Sequence, residues 1–402
     1  MDRTEKEVIF LINCMSGGGA ERVICSLANY ATINGWKSTI ILTSQSMHDS
    51  SWYHLDSHIE KLSLVDLQNG INDKSLKYKV MSMYGHTIKR VSKAIDIEIP
   101  ESVVYSRYVS DHINSIKALN CFFRNHPGAT VVAFLDHSIQ LALLSLKYLP
   151  NKLIVSERGD PVKHSDSKTA SLFIKKYYDR VNTMVFQTEE SMSYYNSDIQ
   201  HKAVVIPNAI KQGLPVRFVG VRKKVVVNFC RISHQKNIPL LLHAFYKFHK
   251  YHPDYNLRII GDNRGIEAEE VMKDCYKIMN EYDMVKFVTF LPFDSDVHRS
   301  IVDCAMFVSS SDYEGMSNSM LEAMAIGLPV VCTDCPSGGA RAVIKDGFNG
   351  ILTKPGDVDG LASAMSSIAE NHLLAEKLSI NATRISEELS FDIIMHKWIS
   401  LY

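Results

Sequence analysis

The segment 309–331, SSSDYEGMSNSMLEAMAIGLPVV, constrains the fold of this chain more than any other stretch. It follows an apolar run at 305–308 that has the length of a buried strand. Ser317 then opens a run of good helix formers, which ends near Gly327 and Pro329. A further apolar run follows the proline. The order of strand, loop, helix and strand predicts part of a parallel α/β sheet.

Two glutamates occupy unusual places in this segment. Glu322 lies in the apolar run predicted to be a buried helix, and a buried carboxylate is costly unless a partner or a polar cleft satisfies it. Glu314 lies in the loop just before this helix. The backbone N–H groups of 316–319 have no partner inside the helix, and the positive end of the dipole suits an anion there. Alternatively, Ser317 is an ordinary N-cap and Glu322 is a structural acid.

The segment EGMSNSMLEAMAIGLPVV resembles the E-x7-E segment of the retaining glycosyltransferases of family 4, which have the two-domain GT-B fold. The resemblance implies that Glu314 contacts the donor sugar and that Glu322 contacts the ribose hydroxyls of the nucleotide. It also implies that backbone N–H groups bind sugar and phosphate oxygens at Gly315, Met316, Ser317 and Asn318.

Composition limits the class of protein. A chain of 402 residues with 46% hydrophobic residues is long enough for two domains. Lys plus Arg and Asp plus Glu each number 44, so the chain lacks the basic field typical of nucleic-acid-binding proteins. No stretch approaches the roughly 18 uninterrupted apolar residues of a membrane-spanning helix. The first apolar run predicts a strand rather than a signal peptide.

Three short motifs suggest metal or redox chemistry, and each has a simpler interpretation. The eight cysteines are scattered, which favours reduced thiols in a cytosolic protein. Cys332 and Cys335 form a C-x-x-C without a second pair nearby, which favours two ordinary thiols over a zinc site. The D-x-D pairs at 294–296 and 357–359 precede predicted helices and are interpreted as helix caps. We therefore predict no metal and no cofactor.

The first half of the chain alternates short apolar runs with helical segments, which predicts a parallel sheet that binds ligands at the carboxyl ends of its strands. A glycine loop at 17–19 follows the first apolar run and would let the backbone approach a ligand at a helix start. A tight turn is the alternative. The segment GGGAERVI resembles the first glycine loop of the same family, which implies that Gly18 and Gly19 lie near the donor diphosphate.

Three polar residues follow predicted strands in this half: Asp136, Glu157 and Arg158. They are candidate contacts for the acceptor or the donor, and helix capping is an equal alternative for Asp136. Many family members have a histidine after the strand that matches 153–156, where this chain has Glu157 and Arg158. We therefore assign no catalytic histidine and expect Arg158 to have a supporting role.

The second half begins after a segment at 211–221 that is interrupted by Gly and Pro and is interpreted as the linker. Arg231 and Lys236 lie in a loop after a predicted strand, where two cations can neutralise a diphosphate. Pairing with surface acids is the alternative. The segment FCRISHQKNIPLL resembles the phosphate-binding loop of the family. The resemblance also implies that the main chain near Pro292 holds the nucleotide base.

The stretch from Lys74 to Lys93 carries six cations and no acid, and apolar residues are interleaved with them. An ordinary solvated helix face with an apolar underside is the favoured interpretation. Contact with an anionic membrane is the second interpretation, because basic amphipathic helices bind such surfaces. The segment 163–180 is a second candidate of the same kind.

Together these features predict a GT-B α/β protein with two Rossmann-like domains that face a central cleft. The expected division is 1–210 for the acceptor side, 211–385 for the nucleotide-sugar side, and 386–402 for a C-terminal helix that packs on the first domain. The expected activity is retaining transfer of a hexose or N-acetylhexosamine from a nucleotide-sugar, with UDP-sugar favoured, to a lipid-linked or cell-surface glycan. A non-catalytic sugar-nucleotide-binding protein and an epimerase-like or phosphorylase-like enzyme are the alternatives. The expected location is the cytoplasm, with peripheral contact at the inner face of the plasma membrane as the finer expectation.

Overall fold

The computed structural model describes residues 6–15, 18–44, 53–69, 76–95, 99–162 and 167–402. Contacts divide the chain into two compact units. The first consists of Met1–Ile206 and Met395–Tyr402, and the second is Pro207–Ile394. Each unit has one parallel sheet flanked by helices.

The sheet of the first unit has the strand order β3-β2-β1-β4-β5-β6-β7, and its described pairs are all parallel. The middle strands are buried and apolar, as expected when helices cover both faces of a sheet. Strand order reverses direction between β1 and β4. The strands are β1 (Glu7–Ile12), β2 (Lys37–Leu42), β3 (Glu60–Ser63), β4 (Thr130–Phe134), β5 (Leu153–Ser156), β6 (Thr183–Phe186) and β7 (Ala203–Val205).

Helices connect these strands, as parallel pairing requires. The connection between β3 and β4 contains four described helices, of which the second and third, Leu76–Ile95 and Glu101–Asp111, pack on one another. The helices of this part of the chain are α1 (Gly19–Ile33), α2 (Leu64–Gln68), α3 (Leu76–Ile95), α4 (Glu101–Asp111), α5 (Ile113–Arg124), α6 (Asp136–Ser145), α7 (Lys168–Tyr177), α8 (Glu189–Ser193) and α9 (Ser197–Gln200).

The sheet of the second unit has the order β10-β9-β8-β11-β12-β13, also parallel. Its order reverses between β8 and β11. The strands are β8 (Lys223–Phe229), β9 (Asn256–Ile260), β10 (Val288–Leu291), β11 (Cys304–Ser309), β12 (Val330–Thr333) and β13 (Ile351–Thr353). The helices of this half of the chain are α10 (Ile238–His249), α11 (Ile266–Glu281), α12 (Val297–Ile301), α13 (Asn318–Ala325), α14 (Val358–Glu370), α15 (His372–Ala382), α16 (Ile385–Glu388) and α17 (Phe391–Ile399). Helix α17 belongs to the first unit from Met395 onward.

The last residues of the chain belong to the core of the first unit. The Trp398 side chain is fully buried, and its ring lies 5.5 Å from that of Phe134, measured between centroids. The Tyr402 ring makes edge-type contacts with the rings of Phe10 and Trp36, with centroid distances of 6.2 Å and 5.4 Å. An apolar segment far away in sequence therefore completes this core.

Among the described residues, each helix is too short or too polar to cross a bilayer. The most apolar long region of the sequence, 130–149, consists of β4, α6 and the turn that follows α6.

Candidate functional site

The site in the second unit is built on two neighbouring strands, β8 and β11. They pair in parallel, with Val227 opposite Phe307, so their carboxyl ends lie side by side. Strand order reverses between them, and in open α/β sheets such a reversal creates a crevice that binds ligands. The loops 230–237 and 310–317 leave the sheet at this point.

Hydrogen bonds lock these two loops together. The backbone N–H of Asp312 donates to the carbonyl of Gln235 at 3.0 Å, and the Asn237 amide donates to the Asp312 carboxylate at 2.8 Å. The Ser310 hydroxyl donates to the carbonyl of Lys236 at 3.0 Å. Asn237 has a left-handed backbone with φ 41°, and its side chain caps α10. The side chains that these loops carry are therefore held in fixed positions.

Glu314 is the centre of this arrangement. Its carboxylate forms an ion pair with Lys236 and accepts hydrogen bonds from the Ser311 hydroxyl at 2.9 Å and the Gln235 amide at 3.2 Å. The Lys236 and Glu314 side chains are 16% and 15% exposed, so solvent screens the pair weakly. Burial lowers the pKa of Lys236, but the charge of Glu314 and its hydrogen bond raise it further, so the net pKa is raised. The lysine is therefore firmly cationic beside a firmly placed carboxylate.

Arg231 supplies a second cation. It follows β8 and is exposed, and its charge acts to lower the pKa of Lys236. Among the described residues, Arg231 has neither an ion pair nor a hydrogen bond. The structure therefore brings Arg231, Lys236 and Glu314 together at one end of the sheet.

The loop before α13 is held by close packing. The Asn208 amide, which is buried, donates to the carbonyl of Met316 at 3.0 Å. The Ser337 hydroxyl donates to the carbonyl of Glu314. A Cβ on Gly339 would lie 1.7 Å from the carbonyl oxygen of Gly315, so only glycine fits there. Two segments distant in sequence, at 208 and at 337–339, thus fix the shape of this loop.

Ser317 is the N-cap of α13, and its hydroxyl accepts from the N–H of Met320 at 3.4 Å. The helix itself begins at Asn318, so the N–H groups predicted to bind oxygens lie at a helix start. Glu322 in this helix is buried, and its carboxylate lies 2.8 Å from Nε2 of His298. His298 is the partner that the buried glutamate was expected to need.

Pro292 lies beside an open cavity of about 540 Å³ that borders the end of β10. Its lining is mixed, with apolar Ile260, Leu291 and Phe293 and three polar side chains. The cavity is therefore suited to a flat, partly polar group.

In the first unit, Gly18 is the N-cap of α1 and Gly19 is its first residue, whereas Gly17 lies outside the described residues. A Cβ on Gly18 would lie 2.1 Å from a carboxylate oxygen of Glu21. This helix start therefore already holds a carboxylate, which its dipole stabilises, and another anion bound there would have to share it.

Asp136, Glu157 and Arg158 come close to buried aromatic rings. The Tyr178 hydroxyl donates to Glu157 at 2.6 Å. Burial is the largest cause of the raised pKa of Tyr178, and the charges of Glu157 and Asp136 raise it further. The Arg158 guanidinium lies 5.1 Å above the Phe134 ring, and burial lowers its pKa to about 9. Asp136 is in the first turn of α6, whereas Leu135 is the N-cap, so the capping alternative for Asp136 is wrong.

The C-x-x-C motif and the two D-x-D pairs were interpreted as ordinary thiols and as helix caps. Cys332 and Cys335 are buried thiols outside any disulfide, and the Cys335 thiol donates to the carbonyl of Ser311 at 3.3 Å. Asp357 caps α14, since its carboxylate accepts from the N–H of Gly360 at 2.8 Å. Asp296 is the N-cap residue of α12, as predicted, but its side chain makes no capping hydrogen bond. The Asp294 carboxylate instead accepts from the N–H of Asp296, which forms a local turn.

Most of the second unit is similar in sequence to a known protein family. Residues 217–385 match the family model for glycosyl transferases group 1. This match contains Arg231, Lys236, Glu314 and Glu322. The family match and the names of the relatives support the prediction that the chain is a transferase.

Two relatives illustrate the range of the likeness. An uncharacterized glycosyltransferase of Haemophilus influenzae is 26% identical over 182 residues, which is 45% of this chain and 50% of that protein. The chain thus matches about half the length of this relative. A Campylobacter jejuni protein named N-acetylgalactosamine-N,N'-diacetylbacillosaminyl-diphospho-undecaprenol 4-alpha-N-acetylgalactosaminyltransferase is 21% identical over 373 residues, 92% of each chain.

Solved structures establish the fold class. The crystal structure of Anabaena HepE in complex with UDP and glucose matches with a TM-score of 0.73 and 15% identity, covering 98% of this chain and 99% of that one. The two parallel-sheet units and such neighbours confirm the predicted GT-B fold.

Several residues of the site were missed from the sequence. Gln235 and Ser311 lie in the recognised segments, but nothing in their spacing indicates that they bind Glu314. His298 and Asn208 lie in other segments and reach the site only through the fold. A buried acid in an apolar helix was the one available signal, and it predicted a partner without identifying it.

Proposed function

We propose that this chain is a retaining glycosyltransferase that moves a hexose or N-acetylhexosamine from a UDP-sugar to a hydroxyl of a glycan. The observation that carries the proposal is the Lys236–Glu314 ion pair at the adjoining ends of β8 and β11, with Arg231 beside it. The family match over this segment and the UDP and glucose bound in a structural neighbour support it.

In this proposal the donor binds at the carboxyl ends of β8 and β11. Arg231 and Lys236 would bind the diphosphate and stabilise the charge that develops on it as it leaves. Glu314 would accept hydrogen bonds from donor sugar hydroxyls, and Glu322 from the ribose. The N–H groups of 315–318 would bind sugar and phosphate oxygens at the start of α13.

Further donor and acceptor contacts belong to the same proposal. The nucleotide base would occupy the cavity beside Pro292, which has a lining suited to a flat, partly polar ring. For the first unit, we propose donor contacts for Gly18 and Gly19 and acceptor or supporting roles for Asp136, Glu157 and Arg158. Metal ions have no part in this scheme.

The surroundings of Glu314 favour one retaining mechanism. Retaining hydrolases form a covalent intermediate on a carboxylate nucleophile. Glu314 is bound by an ammonium, a hydroxyl and an amide, which stabilise its negative charge and make it a weak nucleophile. We therefore propose front-face displacement within an ion pair, in which the leaving diphosphate is stabilised by Arg231 and Lys236.

For the acceptor we propose a lipid-linked or cell-surface polysaccharide precursor. The named activity of the Campylobacter jejuni relative, which concerns a diphospho-undecaprenol, supports this class. An acceptor of that kind would place the enzyme at the inner face of the plasma membrane.

Helix α3 is the proposed contact with that membrane. Val80, Met83 and Tyr84 are 48%, 67% and 62% exposed, and exposed Lys79 and Arg90 lie on the same side by helical spacing. This arrangement resembles amphipathic helices that bind anionic surfaces. Lys74 lies outside the described residues, as do 163–166 of the second basic candidate, in which Lys175 and Lys176 are both paired with Glu101.

The membrane proposal is tested by sedimentation with vesicles of phosphatidylcholine alone or mixed with phosphatidylglycerol. We expect binding to the mixed vesicles alone, weakened by added salt and by Met83→Ser with Tyr84→Ser. Equal recovery with both kinds of vesicle would contradict the proposal.

The transferase proposal is tested by measuring donor binding and slow donor hydrolysis over a panel of UDP-, GDP- and ADP-sugars without added metal. We expect one donor to bind and turn over. Arg231→Ala should lose binding and Glu314→Ala should lose turnover. Arg384→Ala, which removes another exposed arginine of the second unit, serves as the matched control.

Two other results would decide between the alternatives. Binding of a donor without turnover in any acceptor mixture would favour a non-catalytic binding protein. Isomerisation or phosphorolysis of the sugar would favour an epimerase-like or phosphorylase-like enzyme. Failure of every nucleotide-sugar to bind would overturn the proposal.

A further inference from the structure

Glu322 and His298 form the most completely buried acid–imidazole pair in the described part of the second unit. Their side chains are 7% and 4% exposed, and 2.8 Å separates the carboxylate oxygen from Nε2. They lie on different helices, α13 and α12, so the pair depends on the fold and not on local spacing.

The contact fixes the direction of the carboxylate. Nε2 faces a carboxylate oxygen, so this nitrogen carries a hydrogen and donates it. The edge of the His298 ring packs against Phe229, with 5.5 Å between centroids, at the end of β8. Because packing holds the imidazole and the imidazole holds the carboxylate, Glu322 has little rotational freedom.

We propose that His298 is a positioning residue that makes the site select ribonucleotides over deoxyribonucleotides. The inference rests on the proposed function, in which Glu322 accepts hydrogen bonds from ribose hydroxyls. A carboxylate recognises a hydroxyl well only when it is held in one orientation, since a mobile side chain can relax around the missing group. His298 provides that restraint.

The expected size of the effect follows from hydrogen bonds to charged groups. Loss of one such bond weakens binding by about 10- to 100-fold. Deoxyribonucleotides should therefore bind about 10- to 100-fold more weakly than UDP. When His298 is removed, the preference should fall because UDP loses affinity while deoxyribonucleotides change little.

The experiment measures dissociation constants of UDP, 2′-deoxy-UDP and 3′-deoxy-UDP by calorimetry with the full chain. The variants are His298→Phe, which keeps a ring without a donor, and His298→Gln, which keeps a donor. We expect His298→Phe to reduce the preference to about threefold or less, and His298→Gln to retain a larger part of it. His252→Asn is the matched control, because His252 is a half-buried histidine of the same unit whose Nε2 lies 3.2 Å from Ser366.

The ratio of affinities separates positioning from simple destabilisation. If His298→Phe weakens UDP and the deoxyribonucleotides equally, or leaves the ratio unchanged, the inference is overturned. If His298→Phe does not fold, His298→Asn takes its place, because its shorter amide lacks a donor at the position of Nε2, and an unchanged ratio in that variant overturns the inference. If wild type binds none of the three, the proposed function itself is overturned, which is a different result.

Discussion

The Lys236–Glu314 ion pair allows stability and activity to be separated by mutation. Removal of one partner of a buried pair costs about 3–5 kcal/mol, whereas exposed pairs are worth about 0–1 kcal/mol. With side chains 16% and 15% exposed, this pair lies nearer the buried limit. Glu314→Leu leaves the ammonium without its carboxylate and should cost about 3 kcal/mol. Lys236→Met should cost about 2 kcal/mol, because Ser311 and Gln235 still donate to the carboxylate.

The double variant Lys236→Met with Glu314→Leu is the informative one. Two apolar side chains leave no unpaired charge, so the double variant should lose about 2 kcal/mol in all. The coupling energy between the positions is then about 3 kcal/mol. The double variant should nevertheless have no transferase activity, since both proposed donor contacts are gone.

The assay must report on the second unit by itself. All 3 tryptophans fall within the residue ranges of the first unit, so tryptophan fluorescence follows unfolding of that unit and serves as an internal control. Hydrogen exchange of peptides from α10 and α13, followed by mass spectrometry across a urea series, measures the second unit. The reasoning is refuted if the single variants differ from wild type by less than about 0.5 kcal/mol. Additive costs in the double variant would refute it too.

Three further predictions test other parts of the structure. Gly339→Ala should weaken donor binding at least tenfold, because its Cβ would meet a backbone oxygen at 1.7 Å, while Gly128→Ala has open space and should bind as wild type in the same titration. Burial lowers the pKa of His137 from 6.5 to about 4, and the charge of a neighbouring imidazole is the second cause. The unfolded state therefore binds this proton more readily than the folded state, so the free energy of unfolding decreases as the pH falls from about 6.5 to 4. His137→Gln should flatten urea-unfolding stability over that range by at most about 3 kcal/mol, and an unchanged slope would contradict the assignment. Among the thiols, exposed Cys121 should react fastest with Ellman's reagent at pH 8, whereas burial raises the pKa of Cys230 to about 12; rapid modification of Cys230 would refute this order.

Local pattern predicted most of the sheet framework. The apolar run at 130–134 is β4, and the runs at 305–308 and 329–332 correspond to β11 and β12 with ends shifted by about one residue. Two strands were missed for physical reasons. Glu60–Ser63 and Ile351–Thr353 are short edge strands with half-buried or exposed residues, so neither has the continuous apolar run of a buried strand.

The site was predicted in part. Arg231, Lys236 and Glu314 each follow a strand that the sequence reveals, and parallel pairing brings the ends of those strands together. The hydrogen bonds of Glu314 and the partner of Glu322 depend on side-chain directions after folding, which spacing along the chain does not contain. The role of Asn208 was hidden for a similar reason, since it lies 108 residues from Met316 in the sequence.

The burial of Trp398 in the first unit has a consequence for how the chain is made. Synthesis proceeds from the amino terminus, so the first 206 residues leave the ribosome long before residues 395–402 exist. Until residues 395–402 emerge, the surface around Phe134, Phe10 and Trp36 lacks the rings of Trp398 and Tyr402 that contact it in the folded protein. The nascent chain therefore has an exposed apolar patch throughout the translation of the second unit, at the point where a chaperone would be most useful. Completion of the first unit therefore waits until residues 395–402 have been made.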